Sequence, residues 1–204
     1  MNTKNFEKAL PDGYRQIMHI NAKDAKIGII LNLVATLVAA VTILAFLIPV
    51  FMGKMTLALP PEELMLVCLA YVILTVIFMV LHELVHGAAY KRLTGEKLTF
   101  GVSWSCAFCG VPNIYTYRKT AIISLIAPLV TISLFLLPLT IVLYFVHPLA
   151  YLTSALVFVT HLGGCGGDAW IFFLFLTKFK NPATLMRDTG PEQFFYVPER
   201  DEKA

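Results

Sequence analysis

Two histidines and a glutamate within five positions, His82-Glu83-Leu84-Val85-His86, are the residues best placed to do chemistry. On a helix, side chains four positions apart lie on one face, so the rings of His82 and His86 can grip one metal ion. Glu83 follows His82 and precedes His86 by three, at the flank of that face. There it can take a proton from a metal-bound water, the general-base role in H-E-x-x-H hydrolases. Zinc lowers the pKa of a bound water toward about 7, so a carboxylate is a sufficient base. An H-E-x-x-H match alone is weak, because it arises by chance in soluble helices. Its setting changes that. Between Leu64 and Tyr90, Glu83 is the sole Lys, Arg, Asp or Glu. A carboxylate in hydrocarbon costs roughly 2.5–3.5 kcal/mol on insertion scales, and residues retained at that cost mark function.

The elements that must hold these residues follow from composition. Apolar residues make up 58% of the 204-residue chain and charged ones 14%, with a mean hydropathy of +0.75. A soluble domain carries roughly a quarter charged residues. Ile27 to Gly53 has no charged residue, and Thr120 to Thr177 has only Asp168. A bilayer crossing takes about 20 apolar helical residues. The expected architecture is therefore an all-α integral membrane domain with four transmembrane helices, at about 27–52, 64–90, 120–146 and 149–177. His147-Pro148 is the break between the last two. The first apolar run starts after 26 more polar residues and exceeds the ~7–15 residues of a signal peptide's apolar region, so it reads as a retained helix.

Basic residues set the expected orientation. They cluster in segment 1–26, in the loop joining spans two and three, and in the tail 179–204 with the adjoining Lys178. The positive-inside rule then places both termini and the central loop in the cytoplasm of a multi-pass cell-membrane protein. The net charge of +3 follows from this bias and calls for no nucleic-acid partner.

Catalytic zinc usually takes three protein ligands plus water, and Asp168 is the expected third. It stands ten residues before Lys178 at the cytoplasmic end of span four, while His82 stands nine before Lys91. At about 1.5 Å per residue these are similar depths. His161 is seven residues further from the cytoplasmic face, roughly 10 Å deeper, and a poorer candidate. The glycines of Gly163-Gly164-Cys165-Gly166-Gly167 would let two helices approach or let one unwind beside a cavity. Both features also have a plainer reading, as a packing groove and a hydrogen-bonding carboxylate within the bundle. Cys165, one turn before Asp168, could face the metal, and the reading preferred for it is a buried structural thiol.

His82-Glu83-Leu84-Val85-His86 on one span, a glycine-rich Asp168 on a later one, and Ala127-Pro128 opening the span between resemble site-2 proteases, which are membrane-embedded zinc metalloproteases. The chain is more similar still to the short relatives described as "putative zincin peptidases". The resemblance covers roughly residues 65 to 178. It implies that His82, His86 and Asp168 are Zn2+ ligands and Glu83 the catalytic base. Site-2 proteases commonly follow the aspartate with glycine, whereas Asp168 precedes Ala169-Trp170.

The central loop adds a second feature. Leu98, Phe100, Val102 and Trp104 alternate with Thr99, Gly101, Ser103 and Ser105, the period of a strand. Ile114 to Tyr117 is the expected partner, across a turn at Gly110 to Asn113. Such a cytoplasmic hairpin could hold an extended peptide by strand addition through Phe100, Val102 and Trp104, or lie on the membrane surface through its aromatics. Cys106 and Cys109 form a lone C-x-x-C without the second pair that a zinc knuckle needs. Cys68 reads as packing. Pro128 and Pro138 are expected to kink the third span. The tail, with Phe194-Phe195-Tyr196, fits packing under the bundle or binding a partner.

These readings converge on a zinc-dependent endopeptidase acting on membrane-associated polypeptides in the bilayer. The rival is a non-proteolytic membrane protein that binds a metal for structure, transport or sensing. Glu83 separates them, since a pure binding site has no need of an acid beside two ligands.

Overall fold

A computed structural model describes residues 4–21, 24–54, 59–102 and 107–199. Its helices are α1 (Ala25–Phe46), α2 (Ile48–Phe51), α3 (Pro61–Thr94), α4 (Arg118–Val146), α5 (Pro148–Gly164) and α6 (Gly166–Thr177). Its strands are β1 (Phe6–Glu7), β2 (Tyr14–Asn21), β3 (Thr99–Val102), β4 (Ala107–Gly110), β5 (Tyr115–Tyr117), β6 (Leu185–Asp188) and β7 (Glu192–Pro198). Three helices, α1, α3 and α4, are long and apolar enough to cross a membrane, and α5 with α6 meets that test as a pair.

Helix ends are written in the sequence. Asp24 caps α1, its Oδ1 accepting from the N–H groups of Lys26 and Ile27 at 2.8 and 3.3 Å. Pro61 opens α3, with Glu62 and Glu63 in its first turn and Lys91 and Arg92 in its last. Each sign complements the partial charge at its helix end. Gly95 stops α3 in the left-handed region (φ 71°), with its N–H bonded to the carbonyl of Lys91. His147 caps α5, its Nδ1 accepting from Leu149 N–H ahead of Pro148 at the first turn. None of α1's residues is buried. A helix apolar along its length with no buried residue is suited to lipid.

The chain forms two compact units. The first comprises Met1–Ile30, Glu83–Pro128 and Gly167–Ala204, and the second Leu31–His82 and Leu129–Gly166.

The first unit holds an antiparallel five-stranded sheet in the order β1-β5-β6-β7-β2. Its register pairs His19 with Phe194 and Met186 with Phe195. Ile20, Met186 and Phe195 from the sheet pack with Ala121 and Leu125 of α4 and Ile171, Leu174 and Phe175 of α6. Arg118 locks this layer. Its Nη2 and Nε donate to the carbonyls of Phe175 and Phe179, both at 2.9 Å, closing otherwise open carbonyls at the end of α6.

This sheet corrects the all-α expectation. Strands from the N-terminal segment, the α3–α4 loop and the tail build one layer, and Phe195 of the tail is fully buried in its core. The expected hairpin also changes partner. β3 pairs with β4, Phe100 opposite Cys109, while Tyr115–Tyr117 joins the larger sheet between β1 and β6. Short polar-and-aromatic strands carry too little periodicity to reveal partners remote in sequence.

The second unit packs Ile132 and Leu136 of α4 against Val157 and Phe158 of α5, with Phe46, Tyr71, Leu74 and Phe78 alongside. Two hydrogen bonds tie it: Tyr71 Oη to Thr160 Oγ1 at 2.8 Å, and Tyr151 Oη donating to the Phe46 carbonyl at 2.7 Å. Gly163 and Gly166 face Ala35 and Leu31 of α1, yet an added Cβ at either would meet only ordinary contacts of 3.7–3.9 Å. Close helix approach is therefore not what these glycines serve. The helix instead breaks beside them, at Cys165. α4 runs through Pro128 and Pro138 as one helix. Cys68, expected to pack, is exposed on α3.

Candidate metal centre

α3 carries His82, Glu83 and His86 within one unbroken helix, so the two imidazoles sit one turn apart. His86 is 7% exposed. Its Nδ1 lies 2.8 Å from the backbone carbonyl of Ser124 on α4. A carbonyl only accepts, so Nδ1 carries the proton and Nε2 presents its lone pair on the other side. This is the backbone support that metal-ligating histidines usually have.

Nε2 of His86 faces Asp168 Oδ2 at 3.3 Å. That separation is that of a long ion-pair contact. Two ligand atoms on one tetrahedral zinc, with bonds of about 2.0–2.2 Å, stand about 3.3–3.5 Å apart. The His86–Asp168 pair therefore fits a shared ion in both chemistry and spacing. Asp168 lies in the first turn of α6, the helix whose far end Arg118 holds.

α3 is anchored one turn beyond His86. Tyr90 is 1% exposed and donates to Asp188 Oδ2 at 2.7 Å, while Gly190 N–H donates to Oδ1 at 2.9 Å. Burial pushes the Asp188 carboxyl up to about 6 against these two hydrogen bonds, which favour the charged form. Beside it on β4, burial drives the Cys109 thiol up to about 12, and the carboxylates of Asp188 and Glu83 act in the same direction. Cys109 is thus a neutral packed thiol. Cys106, the other half of the C-x-x-C pair, lies outside the described residues.

Of the expected substrate contacts, Phe100 and Val102 are described and Trp104 lies outside the described residues. Phe100 rests on α3 at Gly87, the neighbour of His86. A Cβ there would come within 2.7 Å of Phe100 Cζ and 3.1 Å of Leu98 Cδ1. Val102 is 79% exposed, so β3 carries an open apolar side chain next to the helix that bears the histidines.

His161, set aside in sequence on grounds of depth, lies close to His82. Their ring centroids are 6.1 Å apart. Cys165 Sγ stands 4.0 Å from His82 Nδ1 and 3.9 Å from His161 Nδ1. The H-x-x-x-C spacing of His161 and Cys165 was the available signal, since it puts both on one helix face.

Two histidines one turn apart, an acid beside them and a half-buried carboxylate facing His86 are a donor set that could hold a metal ion, the pattern of the zinc-peptidase class. Residues 75–183, more than half of the chain, match the model of the family described as "putative zincin peptidase", and the chain belongs to that family. No curated protein matches the chain, and no solved structure does.

Proposed function

We propose that this chain is a zinc-dependent intramembrane endopeptidase that hydrolyses peptide bonds of membrane-associated polypeptides. His82, His86 and Asp168 would hold Zn2+, and Glu83 is the general base. The observation that carries this reading is His86, whose Nδ1–H is fixed on the Ser124 carbonyl and whose Nε2 stands 3.3 Å from Asp168 Oδ2.

A bound zinc ion supplies Lewis acidity, lowering the pKa of water toward about 7 and polarising the scissile carbonyl. Glu83 takes the proton of the attacking water and delivers it to the departing amine. The Ser124 carbonyl keeps His86 in the required tautomer. β3, propped on Gly87 by Phe100, offers a strand edge to which an extended peptide adds, with Val102 as an apolar contact. Strand addition exposes a carbonyl that a helical substrate hides in its own hydrogen bonds.

Four spans are supported by the sheet. Strands β2, β5 and β7 belong to one hydrogen-bonded layer, and an aqueous sheet of this kind lies on one side of a bilayer. α1 and α3 then cross as a pair, and α4 needs a return crossing, which α5 with α6 provides. The basic clusters in these segments make that side cytoplasmic.

The test uses the purified chain in lipid, assayed for zinc content and for cleavage of a membrane-anchored polypeptide. Glu83→Gln should retain zinc and lose cleavage by at least about a hundredfold. Equal cleavage in the variant, or no zinc in either protein, would reject the proposal. Zinc retained in both with no cleavage by the unaltered chain favours the rival metal-binding reading.

A further inference from the structure

We infer that His82, His161 and Cys165 form a second set of zinc ligands, a thiolate set that holds the ion in a resting, non-hydrolytic arrangement. The inference rests on the proposed function, because it shares His82 with the hydrolytic set.

All three residues belong to the second unit, and their ligand atoms lie within 4.8 Å of one another. Position makes the set coherent. His161 and Cys165 are one turn apart at the end of α5, and Cys165 N–H donates to the carbonyl of His161 at 3.1 Å. The break at Cys165 ends the helix there and leaves the thiol facing back over its own last turn. His161 and Cys165 are 7% and 2% exposed and His82 is half-buried, so two of the three donors are closed to water.

The donor chemistry suits zinc. Two imidazoles and one thiolate make a three-ligand site with room for a fourth group. Nitrogen and sulfur on one tetrahedral zinc stand about 3.5 Å apart. The observed 3.9–4.0 Å needs a closure of roughly half an ångström, within the play of a cysteine rotamer. Ser133 Oγ lies 3.3 Å from His161 Nε2. Accepting from Nε2–H, that hydroxyl leaves His161 Nδ1 as the ligand atom.

The regulatory consequence follows from His82. A neutral imidazole has one lone pair for a metal, so His82 serves one ion at a time. An ion taken by the thiolate set is denied to His86 and Asp168, and hydrolysis stops while it stays there. Cys165 thereby acts as an internal competitor of Asp168 for one zinc.

Cobalt loading of the full chain in lipid reads the two sets apart, because only a thiolate ligand gives the ultraviolet sulfur-to-cobalt charge-transfer band. Asp168→Asn should bind cobalt with that band at full strength. The band should vanish in Asp168→Asn/Cys165→Ser, with cobalt affinity at least about tenfold below either single variant. Cobalt bound by Asp168→Asn without the band, or a band that survives the double substitution, would overturn the inference. Zinc X-ray absorption on the unaltered chain needs no variant to fold. Sulfur at about 2.3 Å on part of the zinc supports the thiolate set, and a shell of nitrogen and oxygen alone refutes it. The hydrolytic reading fails separately, through undiminished cleavage by Glu83→Gln with the sulfur band intact.

Discussion

His86 is the residue on which the site turns, because three elements constrain its ring. α3 sets its position, the α4 carbonyl of Ser124 sets its tautomer, and Asp168 stands across from its Nε2. Asp188 is a buried carboxyl in the first unit, and the sign of its shift is opposite to that of a paired surface carboxylate. Burial raises its folded pKa from 3.8 to about 6, so the folded state binds the proton more tightly than the unfolded chain. The stability this contributes is full below about 3.8, falls as pH rises to about 6, and is level above that. At 1.36 kcal/mol per unit the loss is on the order of 3 kcal/mol. Asp188→Asn removes this slope. Denaturant unfolding at pH 4 to 7 should show the unaltered chain losing stability relative to Asp188→Asn across that window. Parallel curves for the two proteins would contradict the assignment.

At the scale of elements, two glycines decide how the β3–β4 hairpin sits. A Cβ at Gly110 would lie 2.5 Å from Gly190 N and 2.6 Å from the Thr189 carbonyl carbon. Both are backbone atoms of the β6–β7 turn and cannot rotate away. Gly110→Ala should therefore destabilise the protein by about 1–3 kcal/mol, read as a lower unfolding midpoint. Gly87 differs, because the atom closest to its added Cβ is the tip of the Phe100 ring. Gly87→Val should shift β3 while leaving His82, His86 and Asp168, the proposed zinc ligands, in place. The expected result is unchanged zinc content with kcat/KM for a peptide reduced between roughly tenfold and a hundredfold. Loss of zinc instead would mean that Gly87 serves His86 and not the strand.

For the whole molecule, the sheet carries the topological argument. β2 runs antiparallel to β7 over most of its length, from Tyr14 opposite Pro198 to Asn21 opposite Glu192, so the two ends of the chain belong to one folded layer. Reporter fusions at each terminus should therefore score on the same side, which the proposed orientation makes the cytoplasmic one. Termini on opposite sides would make α5 and α6 a re-entrant pair and not a crossing. Large apolar residues on α1 and α3 point outward, with Leu33, Leu37 and Met65 each 66% exposed. Those faces find their low-energy surroundings in hydrocarbon.

The sequence by itself determined the apolar helices, the break at His147-Pro148, and the placing of His82 and His86 on one helix face with Glu83 at its flank. Each of these depends on neighbours a few positions away: hydropathy over a span, a helix cap, or the stacking of residues four apart. Tertiary structure alone decided the rest. The five-stranded sheet joins segments more than a hundred residues apart, and strands of two to eight residues hold no local mark of their partners. Asp168 was legible as an isolated charge in an apolar stretch, but its approach to His86 is a tertiary fact. His161 looked too deep because the estimate assumed a straight helix. The chain breaks at Cys165, and the packing of α3, α4 and α5 brings His161 and that thiol to His82.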